Sequence, residues 1–316
     1  MIYDIIGDVH GEYELLVGLL EKLGYRETMG SWRQYNHTAI FLGDLIDKGP
    51  QQIATVNLVR KMVEAGSAKC VLGNHELNAI AWATRDPYMP WAYLRRHAKP
   101  GNLKQHANFL KEVQGKPIHN EFVKWFKTLP LWLDLGSIRV VHACWNNLYM
   151  RELEQKWGLN SDQTLTDELF VASTKEAKIG SAEHPAFIAV EALCKGLEAQ
   201  LPDGYSFKDK DGKERHKVRI KWWSNDFATY TEAALASQKI IRCVPTVTTV
   251  QDPRIENYEG VPVFFGHYNL DGIPEVFAPN IACLDYSIGG KNTLVAYRWQ
   301  GEAELSSNNL VVCRLK

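Results

Sequence analysis

Short apolar runs that stop at polar residues set the pattern of this chain. The run Ile2-Tyr3-Asp4-Ile5-Ile6 leads into Asp8 and His10, Ala39-Ile40-Phe41-Leu42-Gly43 into Asp44, and Cys70-Val71-Leu72 into Asn74 and His75. Each run has the length and bounding turn residues of a buried strand. Between them lie helical stripes. Residues 12–23 place Leu15, Leu16, Leu19, Leu20 and Leu23 on one face and end at Gly24; residues 51–65 place Ile53, Val56, Val59 and Met62, with Pro50 before and Gly66 after. Glycine closes helices and proline opens them. The alternation predicts βαβ units, and in open α/β sheets ligands collect outside the carboxyl ends of the strands. Three strands therefore deliver carboxylate, imidazole and amide groups to one edge.

Residues 81–130 change to aromatic and basic helical material, with Trp82, Trp91 and Trp125, and Trp132 just beyond, and show no strand pattern. We read them as helices covering one flank of the site. A β-branched strand over residues 137–141 ends at His142-Ala143. A second helical block over 145–200 has its best pattern at 187–201 and is a candidate cap. Residues 203–219 are dense in charge, and Lys208-Asp209-Lys210-Asp211-Gly212-Lys213 lacks the ligand and glycine order of an EF-hand, so it predicts a solvated hairpin turn. Strands return at 261–265, ending in Gly266-His267, and at 281–284 and 293–299.

Composition narrows the class. With 45% hydrophobic and 23% charged residues the chain reads as a soluble globular protein. A net charge of −1 points to no obligatory nucleic acid and no anionic membrane surface. No secretory signal precedes Ile2, and the apolar runs fall short of the ~20 residues that cross a bilayer, so a cytoplasmic protein is expected. Six scattered cysteines without a C-x-x-C pair predict buried, reduced thiols. Cys144 invites a cysteine-phosphatase C-x5-R loop, but position 150 is Met150 and Arg151 comes one residue late.

Collecting the polar residues past strand ends gives Asp8, His10, Asp44, Asn74, His142 and His267. Oxygen and imidazole donors without thiolate suit Mn, Fe, Zn or Mg rather than a structural zinc cage. Six donors exceed the needs of one ion. Two ions about 3.5–4 Å apart, bridged by a carboxylate, catalyse in-line displacement at phosphorus, and Asp44 is the natural bridge. The remaining histidines, His37, His97, His106, His119, His184 and His216, have no partner motif and read as surface or structural groups.

Five motifs in order, Gly7-Asp8-Val9-His10-Gly11, Gly43-Asp44-Leu45-Ile46-Asp47-Lys48-Gly49, Gly73-Asn74-His75-Glu76, His142-Ala143 and Gly266-His267, resemble those of the calcineurin-like metallophosphoesterase superfamily. They are most similar to the branch of Ser/Thr protein phosphatases and bacterial diadenosine tetraphosphate hydrolases, and the opening residues 3–25 look like the PrpE-type enzymes of that branch. The resemblance implies an α/β fold, a four-layer αββα sandwich of two mixed sheets flanked by helices. The whole chain would be one domain, with helical cap insertions at about 81–130 and 145–220. It implies two divalent cations, manganese first, with iron, zinc, nickel or magnesium as alternatives. Asp8, His10 and Asp44 would hold one cation, and Asp44, Asn74, His142 and His267 the other. In-line attack by a hydroxide held between them, a proton from His75 oriented by Asp47, and a phosphate contact from Lys48 would complete the chemistry.

Three positions depart from the family pattern. Lys48 and Leu72 stand where arginines are usual, and Asn269 where a further histidine ligand is common. Lysine meets phosphate as a point charge, without the bidentate arginine fork. The substrate expected is a small phosphoester or phosphoanhydride such as diadenosine tetraphosphate. A phosphoprotein is the first alternative, and a catalytically inactive scaffold the second.

Overall fold

A computed structural model describes residues 1–174, 178, 179, 182–208, 212–248, 252–286 and 293–314. The chain opens with β1 (Ile2–Ile6), α1 (Tyr13–Lys22), a hairpin of β2 (Arg26–Thr28) and β3 (Ser31–Arg33), β4 (His37–Phe41), α2 (Gln52–Glu64), β5 (Ala68–Cys70) and α3 (Asn74–Ala83). Helices α4 (Pro100–Val113) and α5 (Pro117–Phe126) precede the antiparallel pair β6 (Trp132–Asp134) and β7 (Arg139–Val141). Then come α6 (Asn147–Lys156), α7 (Asp167–Ala172), the paired β8 (Lys178–Ile179) and β9 (Ala182–Glu183), and α8 (Pro185–Lys195). Strand β10 (Glu198–Gln200) follows, with the hairpin of β11 (Phe207–Lys208) and β12 (Glu214–Arg215) and then β13 (Lys217–Arg219), which pairs β10. The last elements are the short helices α9 (Tyr230–Ala233) and α10 (Gln238–Ile241) and strands β14 (Val263–Phe265), β15 (Ile281–Cys283), β16 (Thr293–Trp299) and β17 (Leu310–Arg314).

Two mixed sheets form the centre, as expected. The first has the order β17-β16-β1-β4-β5, with β1, β4 and β5 parallel and β16 and β17 antiparallel to their neighbours. The second has the order β15-β14-β7-β6, with β14 parallel to both neighbours and β6 antiparallel. Strand alternation sends successive side chains to opposite faces. Phe264 accordingly meets Tyr297 of the first sheet, ring centroids 5.1 Å apart, while Phe265 turns outward onto Trp222 and Trp223 at 5.3 and 5.8 Å. Helix α1 packs on β16 and β17, and α2 on β5. No helix among the described residues is long and apolar enough to cross a membrane.

Several elements differ from the sequence expectations. Trp132 lies in β6, a strand too short to show a period of its own. Residues 84–99 carry no helix: Pro87 and Pro90 interrupt them, and the Asp86 carboxylate accepts from the Tyr88 and Met89 amides in a turn. The helix expected over 187–201 runs from Pro185 to Lys195 and closes at Gly196, φ 79°, where a Cβ would collide with the Tyr268 hydroxyl. The charged hairpin has β11 and β12 as its arms, with residues 209–211 outside the described set. Five cysteines are buried and Cys243 is exposed, because it follows the surface turn α10.

Asp4 is the polar exception inside β1. It is fully buried, and its carboxylate accepts from His37 Nδ1 at 2.7 Å and from Arg298 Nε at 2.7 Å. Breaking a buried ion pair by removing one partner costs about 3–5 kcal/mol. Arg298→Met is expected to approach the lower end of that range in urea unfolding, because the guanidinium side is partly solvated. An unchanged midpoint would show that Asp4 needs only His37.

Candidate metal centre

The four loops that end β1, β4, β5 and β14 meet so closely that only glycine fits between them. A Cβ on Gly43 would lie 2.5 Å from the Gly73 amide nitrogen, and one on Gly266 would lie 2.0 Å from Asp8 Oδ1. This is the physical reason a glycine precedes Asp44, Asn74 and His267 in sequence. The loops are also strained. Of the eight non-glycine residues with positive φ among those described, five are His10, Asp44, Asp47, His267 and Asn269. Such conformations cost of order 1–3 kcal/mol each and persist where surrounding contacts over-determine them.

Asp44 stands at the centre. His10 Nε2 lies 3.8 Å and His75 Nε2 3.7 Å from its Oδ2, and His142 Nε2 lies 3.3 Å from its Oδ1. Two donor sets, His10 with Asp44 and His75, and Asp44 with His142 and His267, each gather within 4.8 Å, and Asp44 belongs to both. Asn74 Oδ1 lies 3.2 Å from His142 Nε2 and 2.7 Å from His267 Nδ1. Among the described residues, Asp8 accepts from the His267 amide at 3.0 Å through Oδ2, while its buried Oδ1 finds no hydrogen-bond partner. His267 Nε2 is likewise buried without one among those residues. Unpartnered buried oxygen and imidazole donors beside a shared carboxylate fit divalent cations.

Supporting hydrogen bonds aim these candidate donors. His10 Nδ1 donates to the Ile46 carbonyl at 2.9 Å and His142 Nδ1 to the Leu42 carbonyl at 2.6 Å, which turns both Nε2 atoms toward Asp44. The Glu76 carboxylate, fully buried, accepts from the Asp44 and Leu45 amides at 2.8 Å each. Glu76→Gln removes one of those acceptors. It is expected to cost about 1–3 kcal/mol in unfolding and about 10–100-fold in divalent-cation affinity, read by denaturation and calorimetry. Wild-type affinity would mean that the loop holds its shape without Glu76.

Electrostatics follow the same geometry. Burial opposes ionisation of Asp44, but His142 and His75 outweigh it and hold the carboxyl well below its usual range. Burial alone would depress His142, yet the Asp44 charge pushes it up to about 10. Burial, Lys48 and His75 keep His10 well below the ordinary histidine value, in the neutral form a metal requires. Burial and the nearby Asp285 push Asp8 well up, a cost that a bound cation removes.

Beside this cluster His75 Nδ1 meets Asp47 Oδ2 at 2.6 Å. Lys48 is exposed, and its carbonyl accepts from Asn108. The Asn269 amide donates to Asp285 Oδ2 at 2.7 Å. Cys144 is buried, and burial pushes its thiol up, away from nucleophilic character. Two neighbours escaped the sequence reading: His106, whose Nδ1 meets Asp47 Oδ1 at 2.6 Å, and Gln105, whose Nε2 lies 3.3 Å from His75 Nε2. A signal for His106 existed. It shares the apolar stripe of α4 with Phe109, Leu110 and Val113, where a histidine is buried and needs a partner.

The calcineurin-like phosphoesterase family description matches residues 1–201, and the chain belongs to that family. Among its curated relatives, the asymmetrical bis(5'-nucleosyl)-tetraphosphatase PrpE of Bacillus velezensis is 31% identical over 45% of this chain and 56% of its own length. The symmetrical bis(5'-nucleosyl)-tetraphosphatase of Cronobacter sakazakii is 25% identical over 96% of this chain and 93% of its own length. The alignments thus span little more than half of the first of these relatives and nearly all of the second. Among solved structures, the cold-active protein-tyrosine phosphatase of a psychrophilic Shewanella covers 100% of this chain and 80% of its own, with 15% identity and a TM-score of 0.51, a likeness of fold.

Proposed function

We propose that this chain hydrolyses a phosphoester or phosphoanhydride bond with two divalent cations, manganese first among them. The observation that carries the reading is the Asp44 carboxylate shared by two donor sets. Asp8, His10 and Asp44 would hold one cation, and Asn74, His142 and His267 with Asp44 the other. Bound cations acidify water and neutralise charge on the transferring phosphoryl group. The chain's own residues do the rest. Asp47 holds His75 by Nδ1, so Nε2 faces the site and can hand a proton to the leaving oxygen. The exposed Lys48 ammonium meets a phosphate oxygen as a point charge.

The substrate class we assign is a small nucleotide, with diadenosine tetraphosphate as its representative; the names of two relatives support it. We take the chain as one cytoplasmic domain whose insertions at about 81–130 and 145–220 flank the site, with neither membrane nor nucleic acid as an obligatory partner. Incubation with Mn²⁺ and diadenosine tetraphosphate should yield two ADP, or ATP with AMP. Phosphate release from a phosphopeptide with no nucleotide cleavage would replace the substrate class with a phosphoprotein. No turnover of any phosphoester with Mn, Fe, Zn, Ni or Mg would leave a scaffold and overturn the proposal.

A further inference from the structure

Helix α4 lies outside all five sequence motifs, yet it is fastened to the loop that carries Asp47. Asn108 Nδ2 donates to the Lys48 carbonyl at 2.6 Å, and the Glu112 carboxylate accepts from the Gln52 and Ile53 amides at 2.7 and 3.0 Å. Gln52 in turn accepts from the Asp47 amide through Oε1 at 2.7 Å. Between these anchors, one carboxylate joins two imidazoles: Asp47 Oδ2 meets His75 Nδ1 and Asp47 Oδ1 meets His106 Nδ1, both at 2.6 Å. His106 is 1% exposed, its ring lies against Phe109 and Trp82, and its Nε2 has no hydrogen-bond partner among the described residues. Its ring hydrogen therefore belongs on Nδ1, where Asp47 accepts it.

We propose that His106 is a positioning residue for the hydrolysis assigned above, acting through Asp47 on His75; the inference rests on that reading. The need for it is torsional. The carboxylate of an aspartate rotates in a broad, two-fold well about χ2, and Asp47 sits on backbone at φ 93°, where no regular element braces it. One imidazole on one oxygen leaves that plane free to swing. A second imidazole on the other oxygen stops the swing, fixes Oδ2 against His75 Nδ1, and so fixes the direction in which His75 Nε2 points. A histidine that only filled the core would contribute to stability and leave His75 indifferent to its loss.

A double-mutant cycle separates the two roles. His106→Leu removes the donor, and His106→Asn keeps one, since the Asn amide nitrogen takes the place of imidazole Nδ1. His106→Leu is expected to lower kcat about 10–100-fold, the range for loss of an outer-shell partner, with KM and metal content unchanged. His106→Asn should restore it. In a His75→Asn background His106→Leu should cost nothing further. In ¹⁵N-labelled protein the hydrogen-bonded Nδ1–H resonance of His75 should be present in the parent and in His106→Asn, and lost in His106→Leu. Equal losses in both backgrounds, or a resonance that survives His106→Leu, would overturn the inference. If His106→Leu does not fold, His106→Gln serves, because its amide reaches the Nε2 position and misses Asp47; full activity there also overturns it. A parent protein inactive on every phosphoester would sink the assigned function, and the resonance would still report whether His106 positions His75.

Discussion

Asp44→Asn protein is expected to leave purification with neither bound divalent cation nor turnover. Asp44 is the one residue common to both donor sets, with Oδ2 toward His10 and His75 and Oδ1 toward His142. The substitution keeps the shape, removes the charge, and replaces one oxygen by an amide that has no lone pair to offer. Losing a hydrogen bond that merely supports a ligand weakens metal binding about 10–100-fold; losing a ligand shared by two positions should exceed that. Elemental analysis of the purified variant, beside a circular dichroism spectrum to show that it is folded, reads the result. A full complement of cation would remove Asp44 from the centre.

His75→Asn should behave in the opposite way, keeping its cations and losing rate. An Asn amide can still donate toward Asp47, but nothing remains at the Nε2 position to deliver a proton. General acid catalysis contributes typically 10²–10⁴-fold, so kcat should fall by about that factor on a substrate with a poor leaving group. The deficit should shrink with p-nitrophenyl phosphate, whose leaving oxygen needs little help. Because His75 also falls within one donor set, the metal content of this variant decides between two roles. Cation lost along with rate would make His75 a ligand.

The main features of the fold were readable wherever an apolar run was long enough to show its period. Strands β1 and β4 and helices α1 and α2 lie within a few residues of where alternation and stripe placed them, and the polar residues past them converge because parallel strands end on one side. Strand β6 and the pieces β8, β9, β10 and β13 were not readable, since two or three residues carry no period of their own, and the β11–β12 hairpin showed only through its charged turn. The same distinction holds at the site. Asp8, His10, Asp44, Asn74, His142 and His267 announce themselves by following strands. Glu76 works through two backbone amides of another loop, and His106 through a side chain 59 positions away, contacts that only the folded chain displays.

The order of the first sheet bears on how this protein is made. Strand β1 lies between β4, which emerges soon after it, and β16, which emerges almost last, and Asp4 waits for Arg298 across 294 positions. His267 likewise joins a cluster whose first members are Asp8 and His10. At about 5–20 residues per second on the ribosome, roughly 10–50 s separate the synthesis of His10 from that of His267. Through that interval one edge of β1 and a half-assembled set of polar donors stand without their late partners, so a growing chain has both a β edge and loose donors to shield before its last strands arrive.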